Sequence, residues 1–287
     1  MREHPEYTVA EWAEFLQVSR SGYYRWLDAT PEAAEKDEAE KLQIRKIWDE
    51  GKGTYGPDRI CGIIRERGGH MGRAKAARYM EEMGLSSCHN WHRSRSLTNS
   101  KKARGTGYPN LMRKETPLMP RVAVASDITY LRSGEGFEYL CVIKDVVSGE
   151  ILGSHSAERM TKALVIKAFL SMVGRYKLED GCIFHSDRGS QYTSKAVQVI
   201  LKQYGFRQSF SRVGMPGDNS WSESFFATMK KEKFHWWHYD TREQVRAAAF
   251  EYIEVFYNRR RAQKRLGYLS PRDYYEALQN RPLSLVA

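Results

Sequence analysis

The spacing of apolar positions changes character near residue 120. Before it, apolar residues recur at helical intervals. Thr8 is placed to cap a helix with Val9, Trp12 and Leu16 on one face, and Ser19 to open a second. A charged Glu/Ala-rich stretch at 32–50 predicts a longer helix, with Leu42, Ile44, Ile47 and Trp48 available for packing. Pro57 opens the next, in which Ile60, Ile63 and Ile64 precede a break at Gly68 and Gly69. From Arg73 to Met83, Ala76, Met80 and Met83 face inward, Arg73, Lys75 and Arg78 face outward, and Gly84 stops the helix. Two short helices around a glycine break, the second basic, suggest a helix-turn-helix; an ordinary helical hairpin has the same pattern.

After residue 120 the period shortens to that of strands. Val122, Val124 and Ile128 start one, Phe137 to Val147 and Ile151 to Ser156 form two more, and turns fall at Ser133-Gly134 and Ser148-Gly149. A helix from Thr161 to about Tyr176 is apolar on most faces, as expected under a sheet. Cys182 to Phe184 is a short buried strand leading to Asp187, Thr193 or Ser194 starts a helix stopped by Gly205, and Phe206 to Phe210 is a fifth strand. Asp218 is placed to cap a helix bearing Glu223, with Trp221, Phe225 and Met229 as its buried stripe. A capping box at Thr241–Gln244 opens a last helix burying Phe250, Ile253, Phe256 and Tyr257. The order implies a mixed α/β domain preceded by an all-α region, without fixing its topology.

Composition adds a partner class. At 287 residues the chain suggests two or three units, and a net charge of +11 favours a polyanion such as nucleic acid. Residues 86–118, poor in apolar side chains, carry seven Lys/Arg against one acid, and residues 242–272 carry eight against three. Both read as phosphate-binding surface, the first as a linker with Lys101, Lys102 and Arg104, the second with Arg259, Arg260 and Arg261. The four cysteines form no paired CxxC and so suggest neither a disulfide framework nor a structural zinc site. With no signal-peptide core and an apolar run interrupted at Lys167, a cytosolic protein without a membrane span is expected.

Three carboxylates stand out. Asp127 falls on the first strand, Asp187 at the end of the fourth, and Glu223 on a helix reached through a glycine-punctuated loop. Carboxylates at the rim of an α/β sheet can hold a pair of magnesium ions and cut or join a phosphodiester backbone. Lys230 lies two turns beyond Glu223 on the same face, where it could hold a phosphate. Asp145 competes for the role and reads as a turn residue. His185 reads as structural, and Trp236-Trp237, between His235 and His238, as aromatic packing.

Longer segments carry a resemblance. Val-Ser-Arg-Ser-Gly-Tyr-Tyr-Arg-Trp at 18–26, Gly-Thr-Tyr-Gly-Pro-Asp-Arg-Ile at 53–60, Asp-Ile-Thr-Tyr at 127–130 and His-Ser-Asp-Arg-Gly-Ser-Gln-Tyr at 185–192 occur in order. They are followed by the stretch from Ser211 to Phe226, Tyr-Asn-Arg-Arg-Arg at 257–261 and Leu-Gly-Tyr-Leu-Ser-Pro at 266–271. In these the chain resembles the insertion-sequence-3 family of bacterial transposases, specifically the second-frame product (OrfB), and more broadly the retroviral integrase superfamily. The chain departs from the family pattern at Val124, Arg188 and Gln263, where tryptophan, glutamine and histidine are usual.

The resemblance implies an RNase H-like mixed five-stranded sheet flanked by helices, and a DDE triad of Asp127, Asp187 and Glu223. It implies two Mg2+ ions (Mn2+ may substitute), with Asp127 bridging them, and strand cleavage and strand transfer on element ends without a covalent protein–DNA intermediate. The expected units are an N-terminal helical segment at 1–50, a helix-turn-helix-like DNA-binding unit at 51–90, a basic linker at 91–118 and the catalytic domain at 119–280. The implied partners are double-stranded DNA, other copies of the chain on that DNA, and an upstream-frame (OrfA) product, in a nucleoid-associated bacterial setting. The alternative is a DNA-binding regulator or accessory subunit active only with that partner. A plain RNase H or junction resolvase is a third reading, and a Ser or Tyr recombinase a mechanistic rival.

Overall fold

The protein, seen as a computed structural model, is described over residues 8–27, 31–88, 109–113, 115–212 and 216–280. Five helices come first: α1 (Val9–Phe15), α2 (Arg20–Leu27), α3 (Pro31–Glu50), α4 (Pro57–Glu66) and α5 (Arg73–Glu82). Thr8 and Glu11 form the capping box of α1, and the Ser19 hydroxyl accepts from the Gly22 N–H at the start of α2. Ile44 and Ile47 of α3, Ile60 and Ile64 of α4, and Ala76, Tyr79 and Met80 of α5 share one core. Leu42 is 71% exposed, against expectation: two residues from Ile44 on a helix points to nearly the opposite side. Leu16 is also exposed, because Ala13 takes the buried place on α1.

The second layer is a five-stranded sheet in the order β3-β2-β1-β4-β5. Its strands are β1 (Ala123–Ser133), β2 (Gly136–Asp145), β3 (Ile151–Ala157), β4 (Ile183–Ser186) and β5 (Arg207–Phe210). The first three pair antiparallel, while β4 runs parallel to both β1 and β5. This is the RNase H-like arrangement. On one face lie α6 (Lys162–Val173) and α7 (Lys195–Gln203), packing Phe169, Met172 and Val197 against Val124, Cys141 and Phe184. The other face takes α8 (Ser220–Met229) and α9 (Arg242–Phe250), whose Phe225, Met229 and Val245 meet Leu131, Leu140 and Val142. Both helices run on into π-helical turns, Lys230–Phe234 and Glu251–Tyr257. The π-turn after α9 buries Ile253, Phe256 and Tyr257 but leaves Phe250, expected inside, 62% exposed. The last helix is α10 (Pro271–Gln279).

Asp145 is the turn residue its sequence suggested. Fully buried, it accepts from the N–H groups of Arg121, Val147 and Ser148 and from the Ser148 hydroxyl, closing the β2–β3 connection.

The helical layer and the sheet layer meet along the chain between Tyr257 and Tyr268. The Tyr55 hydroxyl donates to the Arg260 carbonyl at 3.1 Å and accepts from the Ala262 N–H at 2.9 Å. The Tyr268 ring lies against Gly62 of α4, so closely that a Cβ there would come within 2.0 Å of it. Lys52 pairs with Glu251 across the same seam. Beneath it, the Arg261 guanidinium grips Glu232 with two bonds of 2.8 and 2.6 Å, and the Tyr252 hydroxyl donates to the same carboxylate. Arg261 is therefore not the phosphate-facing cation its sequence context predicted; its charge is buried and committed within the protein.

Removing one partner of such a pair strands the other charge. Arg261→Ala is expected to lower unfolding stability by about 3–5 kcal/mol in a urea titration. A change within about 0.5 kcal/mol, the scatter of ordinary surface substitutions, would show that the pair does not hold the seam.

Candidate active site

The geometry begins with the pairing of β1 and β4. Ala125 is level with His185, so Asp127 lies two residues farther along β1 and Asp187 just past the end of β4. Adjacent strands run about 4.8 Å apart, and a step of two residues returns a side chain to the same face. Asp127 shares its face of β1 with Ala125 and Leu131, and its antiparallel partner Val142 packs there too. That is the face covered by α8.

Glu223 reaches this face because the start of α8 is tied to the sheet by three interactions. The Asn219 amide donates to the Ser126 carbonyl at 3.4 Å, the buried Lys144 ammonium to the Trp221 carbonyl at 2.7 Å, and the His185 ring to the Asp218 carbonyl at 2.9 Å. His185 also bonds the Ser209 and Ser211 hydroxyls, and burial lowers its pKa, so it serves as a neutral strut, as its sequence reading proposed. Asp218 does not cap α8. Its carboxylate is taken by Arg212 and Asn110, and Arg212 first among them holds its pKa down to about 2. Asn219 occupies the cap position without a side-chain capping bond.

The three carboxylates then feel one another. Burial pushes the Asp127 carboxyl up to about 7, with the charges of Asp187 and Glu223 adding to the rise. A bond from the Ile128 N–H at 2.8 Å and the charge of Lys230 offset part of it. Glu223 is raised by burial and by Asp187, and Asp187 by burial against a bond from the Gly189 N–H. Asp127 is half-buried while Asp187 and Glu223 stand exposed, so the trio forms a rim open to a large substrate. Among the described residues no three His, Cys, Asp or Glu side chains already converge on a single cation position. The donor set itself, all carboxylate oxygen in an environment that resists added negative charge, suits a hard divalent cation.

Lys230 lies on the first residue of the π-turn after α8, its ammonium 4.7 Å from the centre of the Tyr130 ring. Burial lowers its pKa while Asp127 raises it, which places its charge beside the rim. The other basic candidates are scattered. Arg259 and Arg260 are exposed. On α5, Arg73 is open but paired with Asp58, and Arg78 lies over Tyr79 near Glu82. Lys75 does not face outward as expected; it is clamped by Asp37 and Glu40, because that side of α5 packs on α3. Lys101, Lys102 and Arg104 lie outside the described residues.

Comparison with known proteins fits this architecture. Integrase core domain families match residues 118–216 and 223–277, and an HTH-like domain family matches 35–95. The insertion element IS600 uncharacterized 31 kDa protein of Shigella sonnei is 38% identical over 90% of this chain and 95% of its own. The transposase InsF for insertion sequence IS3A of Escherichia coli (strain K12) is 31% identical over 95% and 96% respectively. The chain belongs to the IS3 family of transposases. This transposase is also 34% identical, over 81% of its length and 91% of the relative, to the transposase for insertion sequence element IS904 of Lactococcus lactis subsp. lactis (strain IL1403). Among solved structures, the catalytic core domain of BIV integrase overlaps it with a TM-score of 0.42 at 16% identity, over 55% of this chain and 96% of that one. Among the described residues no helix is long and apolar enough to cross a membrane.

Two supports of this rim escaped the sequence reading. Lys144 directly follows the apolar run Leu140–Ile143 within β2, an unusual place for a charge that could have flagged it. Asn219 carried no distinguishing signal.

Asp127 holds its proton more tightly folded than unfolded, so its contribution to stability is full below about pH 4 and is lost as pH rises through about 7. Melting of the metal-free protein should therefore fall across that interval, and Asp127→Asn should melt higher than wild type at pH 8 but not at pH 4. Parallel melting curves for the two proteins would refute the coupling.

Proposed function

We propose that Asp127, Asp187 and Glu223 are the catalytic triad of this transposase, and that it cleaves and rejoins DNA strands at the ends of its element by metal-assisted phosphoryl transfer. The observation that supports this reading is the rise of all three carboxyls, with the charges of Asp187 and Glu223 both acting on Asp127 and that of Asp187 on Glu223, and with Lys230 acting on Asp127. A structural acid finds a donor, as Asp145 does with four. Asp127 and Asp187 each accept a single backbone N–H, and the carboxyls of all three still stand above their ordinary range, which favours taking up cations and a phosphate.

When bound by these residues, two Mg2+ ions, or Mn2+ in their place, would neutralise the phosphate and activate the attacking water or 3′-hydroxyl. The chain's own residues do the rest. In this reading the β1–β4 pairing delivers Asp127 and Asp187 to one end of the sheet, and the contacts that anchor the start of α8 support the approach of Glu223. Lys230 supplies a fixed positive charge for a phosphate oxygen, while Arg73, Arg78, Arg259 and Arg260 remain the exposed cations for the DNA backbone. The linker cations Lys101, Lys102 and Arg104 belong to the same reading. Two element ends must be held together, so the reading includes at least two copies on the DNA, with an upstream-frame product as a further partner.

Glu223→Gln preserves shape and removes a metal-binding charge. On element-end DNA with Mg2+ or Mn2+ it should lose strand cleavage by about two orders of magnitude or more, while DNA binding stays within about twofold. Millimolar Mn2+ should raise the melting temperature of wild type but not of Asp127→Asn. Undiminished cleavage by the Gln variant would remove Glu223 from the site, and cleavage appearing only after addition of the upstream-frame product would favour the accessory-subunit reading.

A further inference from the structure

We propose that the end of the sheet beside the carboxylates carries a stacking surface for unpaired nucleobases, built from Tyr130 and Phe137 on the β1–β2 hairpin and Trp236 and Trp237 beyond α8. The inference rests on the DNA-cleaving reading of the rim and names how the strand held there is gripped. All four rings are exposed, at 43, 48, 47 and 67% respectively. Trp236 and Trp237 therefore do not pack inside as their sequence context suggested. The Tyr130 and Phe137 rings meet edge to face with centres 5.1 Å apart. The segment bearing the tryptophans is docked on the turn of that hairpin: the Gly134 N–H donates to the Tyr239 carbonyl at 2.8 Å, and a Cβ on Gly134 would collide with the Asp240 carbonyl. The chain that follows the two tryptophans thus ends on the hairpin that carries Tyr130 and Phe137.

The patch is basic as well as aromatic. Lys230 lies over Tyr130, and the charges of Lys230 and Lys231 act on His235, lowering its pKa after burial has done so. The indole N–H of Trp236 donates to the Lys231 carbonyl at 2.6 Å, which directs the polar edge of the ring inward. A purely apolar protein partner would have to bury these ammonium groups at a cost; a single strand presents flat apolar faces and phosphates together, matching rings interleaved with cations. A duplex offers only base edges in its grooves, so the ligand is an unpaired base. Tyr130 lies three residues past Asp127 on the same strand, about 10 Å along it and on the alternate face, and Lys230 joins the two, its ammonium over the Tyr130 ring and its charge acting on Asp127.

The test compares binding of the full chain, without divalent metal, to a blunt duplex and to the same duplex with a frayed, unpaired end. Wild type should prefer the frayed end by roughly five- to a hundredfold. Tyr130→Ala with Trp237→Ala should lose that preference while affinity for the blunt duplex stays the same, and Tyr130→Phe with Trp237→Phe should retain it. Trp237→Ala alone, at the most exposed of the four positions, serves if the double variant does not fold. A preference that survives the alanine changes, or is absent from wild type, overturns the proposal. So does a fall in sedimentation to a smaller species in the alanine variant, which would make the patch a surface between copies of the chain. Metal-dependent cleavage measured in parallel separates the two readings: its absence from wild type sinks the triad, whereas intact cleavage without frayed-end preference sinks only the stacking surface.

Discussion

β1 and β4 pair in parallel over only three residues, Ala123 to Ala125 against Ile183 to His185, and both strands then continue toward the rim. Asp127 lies two residues beyond the end of that ladder on β1 and Asp187 one residue past β4, so the pairing delivers both acids to the same end of the sheet. The cost in charge is visible in the Asp127 carboxyl, which burial and its two acidic neighbours drive far above the ordinary range. Everything else around the rim serves to keep the third acid and the lysine on the same side.

That task falls to buried polar contacts rather than apolar packing. Phe225 and Met229 seat α8 on the sheet, but hydrophobic burial is non-directional and would tolerate a slide along the axis. Lys144, Asn219 and His185 remove that freedom by fixing successive carbonyl and amide groups at the helix start. The Glu232–Arg261 pair does the same at the far end, on the π-turn that carries Lys230. The helix bearing Glu223 is thus pinned at both ends, and its far pin is shared with the helical layer through the backbone around Arg260 and Ala262.

The seam has a consequence for how the two layers work. Tyr55, Gly62 and Lys52 belong to the helical region; the first two meet the segment that follows the last π-turn of the sheet domain, and Lys52 pairs with Glu251 at the start of that turn. The helical region is therefore joined by direct contacts to the segment whose Arg261 holds Glu232 on the π-turn after α8. Cations that the helices would offer a polyanion are fewer than the composition suggests, since Lys75 already neutralises acids on α3.

Much of this was written in local pattern. Capping boxes at Thr8 and Thr241, the Pro57 helix start and the alternation of β1 each depend on neighbours within a few residues, so reading the chain locates the elements closely. The segments around Asp127, Asp187 and Glu223 were likewise conspicuous by type and context. What a one-dimensional pattern lacks is the identity of the distant partner. Whether Arg261 meets phosphate or Glu232, whether Lys75 faces solvent or α3, and whether Asp218 caps a helix or holds Arg212 are decided by residues 29, 38 and 6 positions away. Leu42, Phe250 and the paired tryptophans are apolar by type and exposed by placement, because helix phase and a π-turn, not hydrophobicity, choose which side faces the core. The sequence by itself determined the kinds of elements and the chemistry they carry; strand order, parallel register and long-range polar contacts, which exist only in the folded chain, decided which charges are spent within the protein and which remain for a ligand.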